Sequence, residues 1–96
     1  MSPARLNPAE HVRDLALANR VTVEETPGSY RGRAWRRLRR IRIAPVKSGS
    51  TYAIALHELG HVVGPQTGNR LNREWQAWEW AKAQCPAWTP AMEQKM

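Results

Sequence analysis

Two histidines four residues apart, with a glutamate directly after the first, are the residues of this chain best suited to chemistry. They are His57, Glu58 and His61, in the run His-Glu-Leu-Gly-His. On an α-helix, positions i and i+4 share a face, so both imidazoles can bind one Zn²⁺ while the glutamate points toward water held on the same metal. The spacing therefore predicts the helix of a zinc hydrolase.

The flanking sequence predicts that the motif lies within a helix. Residues 52–56 contain neither glycine nor proline, Ser50 or Thr51 can cap the start, and Gly64 followed by Pro65 supplies a stop. The alternative is an ordinary amphipathic core helix. Such a helix has no need of two histidines and a glutamate on its apolar side, so we favour the metal site.

A hydrolytic zinc site takes three protein ligands and leaves the fourth position to water, so a third ligand must lie elsewhere in the chain. The remaining histidine, His11, falls in a stretch that predicts a surface helix, where we expect it to be solvated. Cys85 is an unusual ligand for a water-activating site. The candidates left are three downstream glutamates: Glu74, Glu79 and Glu93.

Of these three we favour Glu74. Residues 71–83 have a strong helix pattern, with Asn69 or Asn72 as the cap. Glu74 shares its helix face with small and aromatic residues that we expect to pack on the zinc helix: Ala77, Trp78 and Ala81. Glu79 lies about 140° away around the helix, so we expect it to be solvated or to hydrogen-bond a ligand histidine.

These residue types support a hydrolytic mechanism. Zn²⁺ lowers the pKa of bound water, and Glu58 accepts a proton as that water attacks a scissile carbonyl. Glu58 then passes the proton to the leaving amine. Tyr52 or an arginine could donate to the oxyanion, although a packing role explains Tyr52 better.

The chain resembles the small phage and prophage metallopeptidases of the ImmA/IrrE family, which are minimal gluzincins. The resemblance spans residues 20–92 and is carried by residues 51–61, by Glu-x-x-Ala-Trp-x-Trp-Ala over 74–81, and by Trp-Thr-x-x-Met over 88–92. It implies that His57, His61 and Glu74 hold zinc and that Glu58 is the general base. The chain departs from the family pattern in a short spacer before Glu74 and in Trp78, which stands where the family has an acidic residue.

The elements predict one α+β domain over residues 1–96, of a minimal zincin-like type. A helix over residues 7–19 is followed by a strand over 20–25 and a second strand within 35–46, ended by Pro45 or confined by it to a sheet edge. We expect a small antiparallel sheet, then the zinc helix, the third-ligand helix and a C-terminal tail. In a chain this short, bound metal would stabilise the fold as well as supply chemistry.

One strand is a candidate for substrate binding. In zincins an edge strand beside the active helix pairs with extended substrate through its main chain. We expect the segment Arg39–Ala44 to be that edge, and an ordinary hairpin partner is the alternative.

Positive charge is concentrated in the middle of the chain. Seven arginines occur between residues 31 and 42, and no acid occurs between Glu25 and Glu58. The candidate contacts to nucleic acid or substrate are Arg36, Arg37, Arg39, Arg40 and Arg42. Trp35 and Tyr30 interleave with the arginines, which favours nucleic acid through stacking. A solvated face and a dock for an acidic protein are the alternatives.

Composition indicates a cytoplasmic protein or, for a phage product, one inside the infected host. The net charge is +7, and no run of 18 apolar residues is present to cross a membrane. The N-terminal residues lack the apolar stretch of a signal peptide. A single cysteine forbids an internal disulfide and suits a reducing compartment.

Two functions remain open. The first is a zinc endopeptidase acting on a protein or peptide; the second is a zinc-stabilised module that binds DNA or a regulatory protein through the arginine-rich segment. An intact Glu58 favours the peptidase, because a structural site needs ligands but no base. We also expect weak or latent activity if the tail, residues 91–96, lies across the cleft with Glu93 on the metal. A frayed tail is the alternative.

Overall fold

The computed structural model describes residues 7–28 and 31–95, and within them it shows four helices and three strands. Tyr30 lies outside the described residues. The elements in chain order are α1 (Pro8–Ala18), β1 (Thr22–Glu25), β2 (Arg33–Trp35), β3 (Arg40–Ile43), α2 (Gly49–Val63), α3 (Arg70–Gln84) and α4 (Pro90–Glu93). The predicted α+β class is confirmed.

The long helices begin at polar caps. Asn7 caps α1, and Asn69, one of the two caps predicted for α3, caps that helix. The predicted cap of α2, Ser50 or Thr51, lies too far along the chain, because the cap is Ser48. The side chain of Ser48 accepts from the backbone N–H of Thr51, and the hydroxyl of Thr51 accepts from the backbone N–H of Ser48. This reciprocal capping box starts the helix at Gly49, and Gly64 ends it as expected.

The sheet is mixed rather than antiparallel, and its order is β1-β3-β2. The strand predicted within 35–46 corresponds to β3, whereas β2 precedes it and shares only Trp35 with that range. The two strands are joined by a turn over residues 36–39, in which Arg39 has a positive φ of 50°. β3 pairs in parallel with β1 and antiparallel with β2. The segment Arg39–Ala44 therefore forms the central strand, and the prediction that it is the substrate edge is wrong.

The two faces of the sheet differ sharply. Ile41 and Ile43 of β3 are buried toward α2, and they join a core that includes Leu56 and Leu59 of that helix. Strand alternation turns the intervening arginines, Arg40 and Arg42, to the other face. The sheet therefore supports the zinc-motif helix on one side and carries positive charge on the other.

The C-terminal segment packs into the fold and does not lie across the cleft. Met92 of α4 is 1% exposed and belongs to the core. Glu93 accepts hydrogen bonds from Trp88 Nε1 and from Lys82 Nζ, so it is not directed to the histidines. Both expectations for the described part of the tail, self-blocking and fraying, are wrong.

None of the helices in the described residues is long and apolar enough to cross a membrane.

Candidate metal centre

The two motif histidines meet one glutamate of the neighbouring helix. His57 Nε2 and His61 Nε2 lie 3.1 Å apart on the same face of α2. Glu74 Oε2, on the first turns of α3, lies 3.5 Å from His57 Nε2 and in direct contact with His61 Nε2. The structure thus brings together the three residues selected from the sequence as ligands.

These separations fit a small tetrahedral ion. Zinc bonds to imidazole nitrogen and carboxylate oxygen are about 2.0–2.2 Å long, which sets neighbouring ligand atoms about 3.3 Å apart. The His57–His61 and His57–Glu74 separations, 3.1 and 3.5 Å, match this edge. The His61–Glu74 contact is shorter and would open when an ion enters. Because Glu74 is half exposed, its side chain is free to make that adjustment.

Glu58 is the other carboxylate close to the histidines, and its position differs from that of Glu74. One oxygen from Glu58 and one nitrogen from each histidine can lie within 4.8 Å of one another, so these three residues also form a possible metal group. However, Glu58 Oε2 lies 3.6 Å from His57 Nδ1, whereas it is Nε2 of the same ring that lies 3.5 Å from Glu74 Oε2. Since both Nε2 atoms lie next to Glu74 Oε2, Glu74 is the better candidate for the third ligand, and Glu58 lies beside the site.

The backbone before β2 encloses the Glu58 side chain. A Cβ placed on Gly32 would lie 2.5 Å from Glu58 Cγ and 2.6 Å from its Oε2. No side chain other than hydrogen fits at residue 32 while Glu58 keeps this position. Gly32, which was not singled out from the sequence, therefore provides the space for the buried carboxylate.

Each histidine ring is held by a different neighbour. His61 Nδ1 bonds to Gln66 Oε1 at 3.0 Å, and Gln66 is itself held by donating to the carbonyls of Pro65 and Arg73. The ring of Trp78 stacks on that of His57, with centroids 4.1 Å apart and an angle of 14° between planes. The indole of Trp78 therefore supports the ring of the first histidine by stacking.

Glu79 has no place in this arrangement. It is exposed and lines a small surface depression with Pro65, Gln76 and Trp80. The other role expected for Glu79, a hydrogen bond to one of the two motif histidines, is not seen among the contacts of the described residues. Gln66 makes that bond instead, and no carboxylate pattern in the sequence points to an amide in this position.

Close packing of α2 on α3 brings the three candidate ligands together. A Cβ on Gly60 would lie 2.7 Å from the carbonyl oxygen of Ala77 and 3.1 Å from its Cα. Both residues are fully buried, so the two backbones touch directly at this crossing. The approach places Glu74, one helical turn before Ala77, opposite His61.

The histidines and Glu58 open onto a cleft of about 340 Å³. The opposite wall is formed by β2 and the segments beside it, including Gly32, Arg33 and Ala34. Arg36 also lines the cleft, but its Nη1 donates to the carbonyls of His61 and Gly64 at the end of α2. This arginine therefore fixes the helix end that carries the second ligand.

The other candidate arginines also have roles within the molecule. Arg39 Nη2 donates to the carbonyl of Asn19, and both Arg40 and Arg42 pair with Glu24. The guanidinium of Arg40 lowers the pKa of Glu24 through its hydrogen bond. Arg37 lies exposed in the turn before β3.

His11 and Tyr52 form a contact away from the metal centre. His11 Nδ1 forms a hydrogen bond with the hydroxyl of Tyr52. His11 is partly buried, so the expectation that it is solvated is wrong. Burial lowers the pKa of His11 and raises the pKa of Tyr52, whose hydroxyl also meets Cys85. This contact supports the packing role predicted for Tyr52.

A larger groove, of about 490 Å³, lies between α1 and β1. It is lined mainly by apolar side chains, among them Val12, Leu17 and Val21. None of the three candidate ligands borders it, so this groove is separate from the candidate metal centre.

Comparison of the chain with protein-family models, with characterised proteins and with solved structures finds no match.

Proposed function

We propose that this protein is a zinc-dependent endopeptidase of a minimal zincin-like type. The observation that carries the proposal is the convergence of His57 Nε2, His61 Nε2 and Glu74 Oε2 beside the buried carboxylate of Glu58. Three ligands of these types leave one position open, as hydrolytic sites require. The resemblance to the ImmA/IrrE metallopeptidases remains part of this proposal.

Bound Zn²⁺ would supply an acidified water and a Lewis acid for the scissile carbonyl. The chain's own contribution is the base: Glu58 takes a proton from the attacking water and delivers it to the leaving amine. Its nearly complete burial, 8% exposed, strengthens the electrostatic interactions of the carboxylate. Trp78 and Gln66 keep the two imidazoles in their binding orientation.

The binding wall of the proposed cleft is β2 and not the segment 39–44. Thr22 N–H donates to Arg39 O, and Thr26 N–H donates to Ile43 O. The main-chain groups of the odd-numbered residues along β3 therefore face β1. The even-numbered residues of β3 then bond to β2, where they are opposite Arg33 and Trp35. The main-chain groups of Ala34 point away from β3, beside the cleft, where an extended peptide can pair with them.

The test is hydrolysis of an unstructured protein, casein, by zinc-loaded protein and by its Glu58→Gln variant. We expect equal zinc content and a decrease of about 10²–10⁴-fold in rate, the usual contribution of a general base. Zinc binding without cleavage by either protein would favour the alternative, a zinc-stabilised binding module. We retain the cytoplasm as the proposed compartment, since Cys85 is free.

A further inference from the structure

We infer that the substrates of this site are acidic segments, with carboxylate side chains at alternate positions of an extended strand. This inference rests on the proposed function and names its substrate class. It is carried by the side chains of β2 and by the outer face of the sheet.

The register of β2 fixes which substrate positions meet which residues. Ala34 is opposite the buried Ile41, so its side chain lies on the inner face of the sheet. In a strand added to this edge, the residue opposite Ala34 would have its side chain on the same inner face. The residues before and after that position turn to the outer face. There they are neighbours of Arg33 and Trp35.

The outer face next to these positions is strongly positive. The guanidinium carbons of Arg33, Arg40 and Arg42 lie 5.4, 5.2 and 5.4 Å from the centroid of the Trp35 ring. The carboxylate of Glu24 is shared by Arg40 and Arg42. Three positive charges therefore stand against one negative charge, and Arg33 is the member nearest the free edge.

Charge and distance favour carboxylates on an added strand. Opposite charges directly across a strand pair attract, and a lysine at the same position would be repelled by Arg33. Because Arg33 is exposed, each such pair changes affinity by on the order of two- to fivefold. Two outward positions together make the preference measurable.

The same arrangement argues for a peptide over a nucleic acid. Base stacking needs an open aromatic face, whereas the ring of Trp35 is surrounded by three guanidinium groups. Arg33 lies on the strand with the free main-chain groups, and Arg40 and Arg42 lie on the neighbouring strand of the same face. A charged sheet face beside a free strand edge suits an extended peptide.

The experiment is fluorescence anisotropy with zinc-loaded Glu58→Gln protein, which binds substrate without consuming it. The probes are two fluorescein-labelled eight-residue peptides, one alternating Glu and Thr and one alternating Lys and Thr. Each is measured with Arg33→Gln and with the control Arg13→Gln, which removes one charge from the exposed side of α1. A mixed-sequence single-stranded DNA serves as competitor.

We expect the glutamate peptide to bind at least fivefold more tightly than the lysine peptide, with most of this difference lost in Arg33→Gln and retained in Arg13→Gln. Equal binding of the two peptides, or equal effects of the two variants, overturns the inference. Displacement of the glutamate peptide by DNA at lower concentration than by unlabelled peptide overturns it in favour of nucleic acid. Casein cleavage by the wild-type chain is scored separately, so failure of the peptidase proposal is distinguishable.

Discussion

At the scale of single residues, the position of each glutamate on α3 decides what it can do. Glu74 lies one turn before the helix crossing and contacts His61, whereas Glu79 is exposed on another face. We expect Glu74→Gln to lower the zinc content at equal free zinc, and Glu79→Gln to leave it unchanged. Elemental analysis after dialysis measures both. The reverse order would move the third ligand to Glu79.

Gly32 provides a second test at this scale. Its missing Cβ leaves room for the Glu58 carboxylate, and a methyl group there would displace a flexible side chain rather than backbone. We therefore expect Gly32→Ala to reduce casein hydrolysis by at least tenfold while zinc content and melting temperature change little. In the matched control, Gly49→Ala, the added methyl meets only an ordinary contact at 3.5 Å. Full activity in Gly32→Ala would contradict this role.

The sequence predicted which residues lie together at the candidate site better than it predicted the residues that support them. Residue types and i, i+4 spacing are local properties, so His57, Glu58 and His61 could be recognised directly, and Glu74 followed from the small face of its helix. Gln66 and Gly32 could not be found in this way. Each acts through a tertiary contact, one with a ligand ring and one with a buried carboxylate, that leaves no periodic signal in the chain.

At the scale of elements, the crossing of α2 and α3 sets the geometry of the ligands. Gly60 touches the backbone of Ala77, which cannot move aside as a side chain can. We expect Gly60→Ala to destabilise the fold by about 1–3 kcal/mol and to weaken zinc binding by separating Glu74 from the histidines. Urea unfolding and zinc titration measure the two effects. Unchanged zinc affinity would show that the crossing does not set the ligand distances.

Short α4 is a structural element, so removal of the tail should destabilise the protein instead of activating it. Met92 is among the largest fully buried side chains. We expect Met92→Ala to lower the free energy of unfolding by about 2–5 kcal/mol. Leu71→Ala, at a position 78% exposed, is the control and should cost much less. An increase in casein cleavage at unchanged stability in Met92→Ala would restore the self-blocking hypothesis.

Sheet topology was the weakest prediction at this scale. Alternation over residues 35–46 indicates extended chain, but it does not locate the turn at 36–39 or the partner of each strand. Pairing of β3 with the distant β1 in parallel depends on long-range packing under α2. The three long helices, whose caps and periodicity are local, were predicted to within a few residues, whereas α4 lies in a segment predicted as a tail.

At the scale of the whole molecule, the metal should connect the parts of a small core. Folding of 96 residues buries little apolar surface, and the proposed ligands join α2 to α3, the helix pair in most extensive contact. A ligand that binds only the folded state at 100 times its Kd stabilises that state by about 2.7 kcal/mol. In a domain this size, each kcal/mol raises Tm by about 4–8 °C.

We therefore expect removal of zinc with a chelator to lower the melting temperature by roughly 10–20 °C. Zinc should restore the melting temperature and Mg²⁺ should not, because imidazole nitrogens suit zinc whereas Mg²⁺ prefers oxygen ligands. Calorimetry of the wild type and of a His57→Ala, His61→Ala double variant measures the shift. The variant should melt at one temperature with or without zinc. A wild-type transition that does not respond to zinc would mean that the helices are held by apolar packing alone, and the metal would then have no part in folding.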